Sequence, residues 1–350
     1  MSANSTFDLI NAGRSSTTPK LKFNIPKLDE VLFGIKQRHT YLLGGDTGTG
    51  KTSFTRSVFI DNVYEQFLAV NDTDLLDVLF VDCSLEVPKE MNYASTITRL
   101  AYKDYQKVIP PNKMFSWSTP LSEDDNTIVT SYREYINGMS RKMIVVDNEI
   151  NPTQFHDILM EVALRNGSFS REGRFIDDCG DYTPNNPNLH VIVTFDTLNL
   201  AALDSGHTTV KSSIDRISRI GLRFRNKCNF IFVPIQQFNS DLATTDRARF
   251  GIQGPILKDF MDSTGPTKDA MVILGLYSPM RYLRDDQTIW RGYDVAQLKS
   301  WLVSVHIMKN RYGQAQKYAA LKFDGALGMF TQLKDASLMT PQDYDLATRH

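Results

Sequence analysis

From Phe23 onward, short apolar runs alternate with longer stretches whose apolar residues recur at helical spacing. Residues 40–43, 78–81, 143–146, 191–195, 229–235, 271–276, 302–308 and 318–323 are continuous, strand-sized runs rich in Val, Ile, Leu and Phe. Between them, residues 52–67 place Phe54, Val58, Val63 and Phe67 on one helical face, and residues 91–105 read as a second helix. Residues 213–226 are amphipathic through Ile214, Ile217, Ile220, Leu222 and Phe224. Strands that alternate with helices, and that are apolar on both faces, predict an α/β fold built on a largely parallel sheet.

Three stretches break the rhythm. Residues 102–139 carry Pro110, Pro111 and Pro120 and an acidic run at 123–125, and residues 168–188 are crowded with Gly, Asp, Asn and Pro. Both read as surface excursions. Residues 1–21 are polar, apart from Phe7, Leu9 and Ile10 in a weakly helical patch. That patch is open to two readings, a disordered tail or a docking helix for a neighbouring subunit.

Composition narrows the class. The chain has 350 residues, of which 41% are hydrophobic and 23% charged, enough apolar content for a sizeable core. No apolar run approaches the ~18 residues of a membrane span, and the polar N-terminus lacks a signal-peptide pattern. Cys83, Cys179 and Cys228 have no metal or redox spacing, as expected in a reducing cytoplasm, and the six histidines are scattered. A net charge of −1 excludes a charge-driven nucleic-acid coat protein. It leaves room for a machine that touches a strand through a few loop residues.

The chemistry is concentrated at Gly45-Asp-Thr-Gly-Thr-Gly50-Lys51-Thr52, a full P-loop pattern between an expected strand and an expected helix. Glycines at 45, 48 and 50 let the backbone curl, so that the N–H groups of Thr47, Thr49 and their neighbours through Ser53 can point at phosphate oxygens. A helix N-terminus near Gly50 adds partial positive charge. Lys51 supplies a full charge to the β- and γ-phosphates of ATP, and Thr52 offers its hydroxyl to Mg2+. Such a metal is also held by an acid at the end of a neighbouring strand. Asp147 and Asp196 both fit, and pattern alone does not separate them. Glu86, a few residues beyond the 78–81 run, is an acid placed where an ATPase needs a base for water.

Taken in order, these blocks resemble the C-terminal motor domain of DnaB-like replicative helicases, hexameric P-loop NTPases with a RecA-like core. Ser84-Leu85-Glu86 resembles the family's strand ending in its catalytic glutamate. Ile214-Asp-Arg-Ile217-Ser218-Arg219 resembles the helix after the magnesium strand, and Gln236-Gln237-Phe238-Asn239 the sensor strand, with Gln237 at the sensor position. Residues 259–263 resemble a DNA-contacting loop, and Lys309-Asn310-Arg311 the Lys-x-Arg finger motif. The resemblance assigns the magnesium position to Asp196, places the Gln237 strand between the P-loop strand and the Asp196 strand, and makes Lys309 and Arg311 fingers for the next subunit.

What the resemblance implies is an ATP-driven helicase motor, a homo-oligomeric and hexameric ring that moves on single-stranded DNA, with a primase or loader as partner. A motor spans 23–335, preceded by a tail or linker helix at 1–22 and followed by a tail at 336–350. The sequence departs from the family at Met261, where an arginine is usual, and at Thr264, where glycine is common. Strand contact is therefore expected from Arg247, Arg249 and Lys258 together with Asp262, Ser263 and Thr264. Missing the family's primase-binding domain, the chain resembles a phage-encoded version at work in the host cytoplasm. A RecA-like recombinase and a KaiC-like regulatory ATPase share the P-loop and remain the alternatives.

Overall fold

Strands that are apolar on both faces need cover on both faces, and the chain supplies it with helices. The computed structural model describes residues 20–117, 119–204, 209–239, 254–260, 265–282 and 288–350. Helix α1 (Pro26–Leu32) leads into β1 (Tyr41–Gly45). Helix α2 follows in three continuous stretches, Lys51–Thr55, a π-helical Arg56–Asp61 and Asn62–Val70. Then come β2 (Asp77–Ser84), α3 (Lys89–Tyr105), β3 (Met143–Val146), α4 (Pro152–Asn166), the short β4 (Gly167–Phe169) and β5 (Tyr182–Pro184), and β6 (Leu189–Asp196). After α5 (Val210–Cys228) the chain forms β7 (Ile231–Gln237), α6 (Gly265–Asp269), β8 (Val272–Tyr277) and the hairpin β9 (Ile289–Trp290) and β10 (Tyr293–Asp294). The last strands are β11 (Leu302–Asn310), β12 (Lys317–Asp324) and β13 (Met329–Gln332).

Nine of these strands make one sheet in the order β13-β12-β11-β8-β1-β7-β6-β2-β3. From β8 to β3 every neighbouring pair is parallel, and β11, β12 and β13 add an antiparallel flank. The strand ending at Gln237 lies between the P-loop strand and the Asp196 strand, as the family pattern requires. Alternate residues divide between the faces. Phe80, Ile192, Val233, Leu43 and Leu274 pack on one face with Phe54, Val58 and Phe59 of α2. On the other, Val81, Val193 and Phe232 meet Phe155 and Leu159 of α4 and Ile217 and Phe224 of α5. Farther along that face, Leu42, Ile273 and Leu302 are covered by Phe238, Phe260, Trp290 and Tyr293.

The 102–139 excursion is helical, which the sequence reading did not anticipate. Short helices at Pro111–Met114, Glu123–Ser131 and Arg133–Arg141 close over Leu100, Ala101, Ile109 and Tyr132. Ser122 caps the second by accepting from the Asp125 N–H. The buried Asp125 carboxylate takes Lys107 and Lys113, both at 2.5 Å, and these hydrogen bonds hold it down at about 2. The 168–188 excursion carries the β4–β5 hairpin and is pinned to the end of α5, where Lys227 Nζ donates to the Ile176 and Cys179 carbonyls. Toward the two ends of the described residues, Leu21 is buried and bridges Ile35, and Ala347 is buried on the Trp290 side of the sheet. Among the described residues no helix is long and apolar enough to cross a membrane.

Gly44 marks where β1 is packed most tightly. A Cβ there would lie 2.2 Å from Phe260 Cζ and 2.3 Å from Phe238 Cε1, the two rings of an edge-to-face pair 4.9 Å apart. Gly44→Ala should therefore cost about 1–3 kcal/mol through overpacking, read as a lower urea midpoint at unchanged slope. An unaltered midpoint would mean that the two rings do not press on the strand.

Candidate active site

Parallel strands carry their C-terminal ends to one edge, and the sequence-predicted chemistry collects there. β1 runs out at Gly45, the loop turns through Gly48 and Gly50 at φ of +72° and +82°, and α2 begins at Lys51. Those left-handed positions suit glycine, and most residues with a Cβ would adopt them only at a steric cost. The loop is braced from inside, with Thr49 Oγ1 donating to the Asp46 carbonyl at 2.8 Å and Lys51 Nζ donating to the same carbonyl at 3.0 Å. Burial lowers the Lys51 pKa, and the carboxylates of Asp196, Glu86 and Asp46 work against that shift.

Asp196 ends β6 and is buried, and the Thr52 hydroxyl donates to its carboxylate. Burial raises the Asp196 pKa to about 6, and the nearby Glu86 and Asp82 push the same way against Thr52 and Lys51. Glu86 is exposed just beyond β2, in line with Asp196 because Ser84 pairs with Asp196 across the sheet and Leu85 N–H donates to the Asp196 carbonyl. Asp147, the other candidate, follows the edge strand β3 and accepts from the Lys89 N–H at 3.3 Å. Gln237 pairs with Gly45, and its Nε2 donates to Thr47 Oγ1 at 2.7 Å.

The donor set at Thr52 and Asp196 suits a hard divalent cation. It is all oxygen, and the Asp196 charge, disfavoured by burial and by Glu86 and Asp82 more than Thr52 and Lys51 offset, would gain from a further cation. Among the described residues no three or more His, Cys, Asp or Glu side chains form a metal cage. An ion here would thus draw its remaining ligands from phosphate and water.

Lys309 and Arg311 lie elsewhere. β11 runs antiparallel to β8, so Lys309 pairs with Ile273 and the Arg311 N–H bonds the Met271 carbonyl, at the sheet edge away from the P-loop. Gly45 aligns with Leu276, three residues along from Ile273 and five from Met271, or roughly 10 and 16 Å. The strand bulges between Ile307 and Lys309, yet both cations reach backbone carbonyls of α6, Lys309 Nζ that of Thr267 at 2.7 Å and Arg311 Nη2 that of Lys268 at 2.8 Å. Lys258 is exposed in the turn Leu257–Phe260. Arg247, Arg249, Asp262, Ser263 and Thr264, like Phe7, Leu9 and Ile10, fall outside the described residues.

Several site residues were not found by sequence reasoning. Arg281 and Tyr282 reach the P-loop from beyond β8, with Arg281 donating to the Thr47 carbonyl and Tyr282 to the Asp46 carboxylate. Behind the loop, the π-helical turn of α2 buries Arg56, which faces Asp82 at 3.4 Å and Thr96 at 3.2 Å. Asp82 also accepts from Thr194 of β6 at 2.6 Å, and Asp61 pairs with Arg99 of α3. A cavity of about 280 Å3 opens beside Thr52 and Ser53, walled by Asn92, Arg99, Leu327 and Gly328.

No protein-family model and no curated sequence matches the chain. Solved structures do. An ATPase domain solved on its own superposes with a TM-score of 0.69 at 18% identity, covering 95% of this chain and 99% of that one. A DnaB-like replicative helicase, solved for its interactions with primase, gives 0.66 at 18% identity over 95% of this chain and 67% of that one. A KaiC-like protein from Pyrococcus horikoshii gives 0.46 at 15% identity, over 90% of this chain and 99% of that one. The fold is that of a RecA-like P-loop ATPase. Within that class it is the fold of the DnaB-type motor domain, shared with the isolated ATPase domain and with the DnaB-like helicase.

The raised Asp196 pKa makes a testable statement about stability. Below about pH 4 the carboxyl is protonated both folded and unfolded. Between there and about 6 the native state holds a proton that the unfolded chain has released, so this group's contribution falls as pH rises and levels off above about 6. Asp196→Asn removes the burden. In chelator-treated buffer its melting temperature should exceed that of wild type by a margin that grows through this window. A margin independent of pH would contradict the assignment.

Proposed function

We propose that this chain is an ATP-driven, ring-forming DNA helicase motor that moves on single-stranded DNA during replication. The observation that carries the reading is the division of labour across the sheet. Phosphate loop, metal ligands and acid share one edge, while the Lys309–Arg311 pair sits at the other, too far to serve its own loop. A neighbouring subunit is the natural recipient of those cations, as in a closed ring.

In this reading the N–H groups of residues 47–53 and Lys51 bind the triphosphate of ATP. Thr52 and Asp196 hold Mg2+, which when bound neutralises phosphate charge. Glu86 orients the attacking water and takes its proton, and Gln237, hydrogen-bonded to Thr47, reports nucleotide state to the segment that follows β7. Lys309 and Arg311 leave their own carbonyl partners and stabilise charge on the γ-phosphate of the next subunit. The cavity beside Ser53 is the candidate seat for the nucleoside. Lys258, with Arg247, Arg249, Asp262, Ser263 and Thr264, meets the DNA strand, and a primase or loader is the expected partner.

The direct test is ATPase activity with and without single-stranded DNA, beside a strand-separation assay. DNA-stimulated turnover with unwinding supports the motor. Turnover indifferent to DNA points to a regulatory ATPase, and long filaments on DNA under the electron microscope point to a recombinase.

Point variants separate the roles. Lys51→Ala should lose both hydrolysis and tight nucleotide binding. Glu86→Gln should bind ATP normally while kcat falls by about 10²–10⁴. Wild-type turnover in Glu86→Gln rules out Glu86 as the base.

Arg311→Ala should fold and bind ATP, yet lose about 10³ in kcat, the scale of a finger. Full DNA-stimulated activity in that variant removes the finger assignment.

A further inference from the structure

The second position of the phosphate loop is an acid. A carboxylate at the mouth of an anion site opposes the anion, and Asp46 is only partly buried. Its surroundings dispose of that charge. Oδ1 accepts the Thr47 N–H at 2.7 Å. Oδ2 accepts the Tyr282 hydroxyl and faces Arg281 Nη1 at 3.8 Å. Arg281 also donates to the Thr47 carbonyl, and its Nη2 lies 2.5 Å from where a Cβ on Gly48 would stand. The guanidinium therefore rests on the loop where a glycine leaves room for it.

Both partners are delivered by strand register. β8 pairs with β1 so that Leu276 lies beside Gly45, and the turn Pro279–Arg281 then brings Arg281 and Tyr282 onto residues 46–48. Tyr282 is stacked on Tyr277 with ring centroids 5.2 Å apart. Burial and the Asp46 carboxylate push its phenol pKa up, so it remains a donor.

We propose that Arg281 and Tyr282 form a clamp that neutralises Asp46 and holds it off the phosphate path, setting the affinity of the loop for ATP. They are positioning residues that act through Asp46. The proposal rests on the nucleotide-site reading of the loop and adds to it the device that lets a loop with an internal acid accept a triphosphate.

The test is titration of the full-length protein with MgATP and MgADP. Arg281→Ala exposes an uncompensated carboxylate and should weaken ATP binding about 3- to 10-fold, and ADP binding less, because ATP carries more charge. Arg281→Lys keeps the charge and should retain most of the affinity. Tyr282→Phe should shift affinity the same way by a smaller factor. The diagnostic variant is Asp46→Asn, in whose background Arg281→Ala should no longer matter. A role in packing alone would not disappear when the acid is removed. Wild-type affinity in Arg281→Ala, or an equal loss with and without Asp46→Asn, overturns the proposal. Lys51→Ala is titrated in parallel. If it binds ATP as wild type does, the nucleotide reading of the loop fails, and the clamp with it.

Discussion

Because β8, β1, β7, β6, β2 and β3 run parallel, residues far apart in sequence arrive at one edge of the sheet at nearly the same height. That alignment is what the rest of the molecule depends on. Gly45, Gln237 and Leu276 are neighbours by register, as are Ser84 and Asp196. The placement of the P-loop, the acid of β6, the glutamate beyond β2, and Arg281 and Tyr282 beyond β8 follows from it. The antiparallel flank has the opposite consequence, since it carries Lys309 and Arg311 away from the loop of their own chain.

Charge is the second theme. The edge holds Lys51, Asp46, Glu86, Asp196 and, one layer deeper, Asp82, and each perturbs another. Behind them Arg56, Asp61, Asp82 and Arg99 form a buried network that ties α2 to β2 and α3. Buried ion pairs of this kind add little net stability, because desolvation offsets their attraction. What they fix is the placement of the helix that begins at Lys51 against the strand that leads to Glu86. Burial, Glu86 and Asp82 disfavour the charge on Asp196, an electrostatic cost that a divalent cation would relieve.

Much of this was legible in the sequence, for local reasons. β3 at Met143–Val146 matches its apolar run residue for residue, and the P-loop announces itself because a phosphate cradle needs glycine at fixed positions. Helix α4 was missed although Asn151, Pro152 and Gln154 spell a capping box with Pro in the first turn. The acidic run at 123–125 lies in a stretch that reads as a surface excursion, whereas Ser122 before three acids is a helix N-terminus. Arg281 and Tyr282 carried no local signal. They join the site only through the pairing of β8 with β1, more than two hundred residues from the loop, and no pattern along the chain encodes that contact.

If, as proposed, Lys309 and Arg311 complete the site of a neighbouring subunit, turnover depends on assembly. Turnover per subunit, measured across a dilution series with assembly followed by sedimentation, tests this most directly. The account predicts that specific activity at saturating ATP falls as rings dissociate, tracking the assembled fraction. Dissociated subunits that hydrolyse ATP at the full ring rate would contradict it.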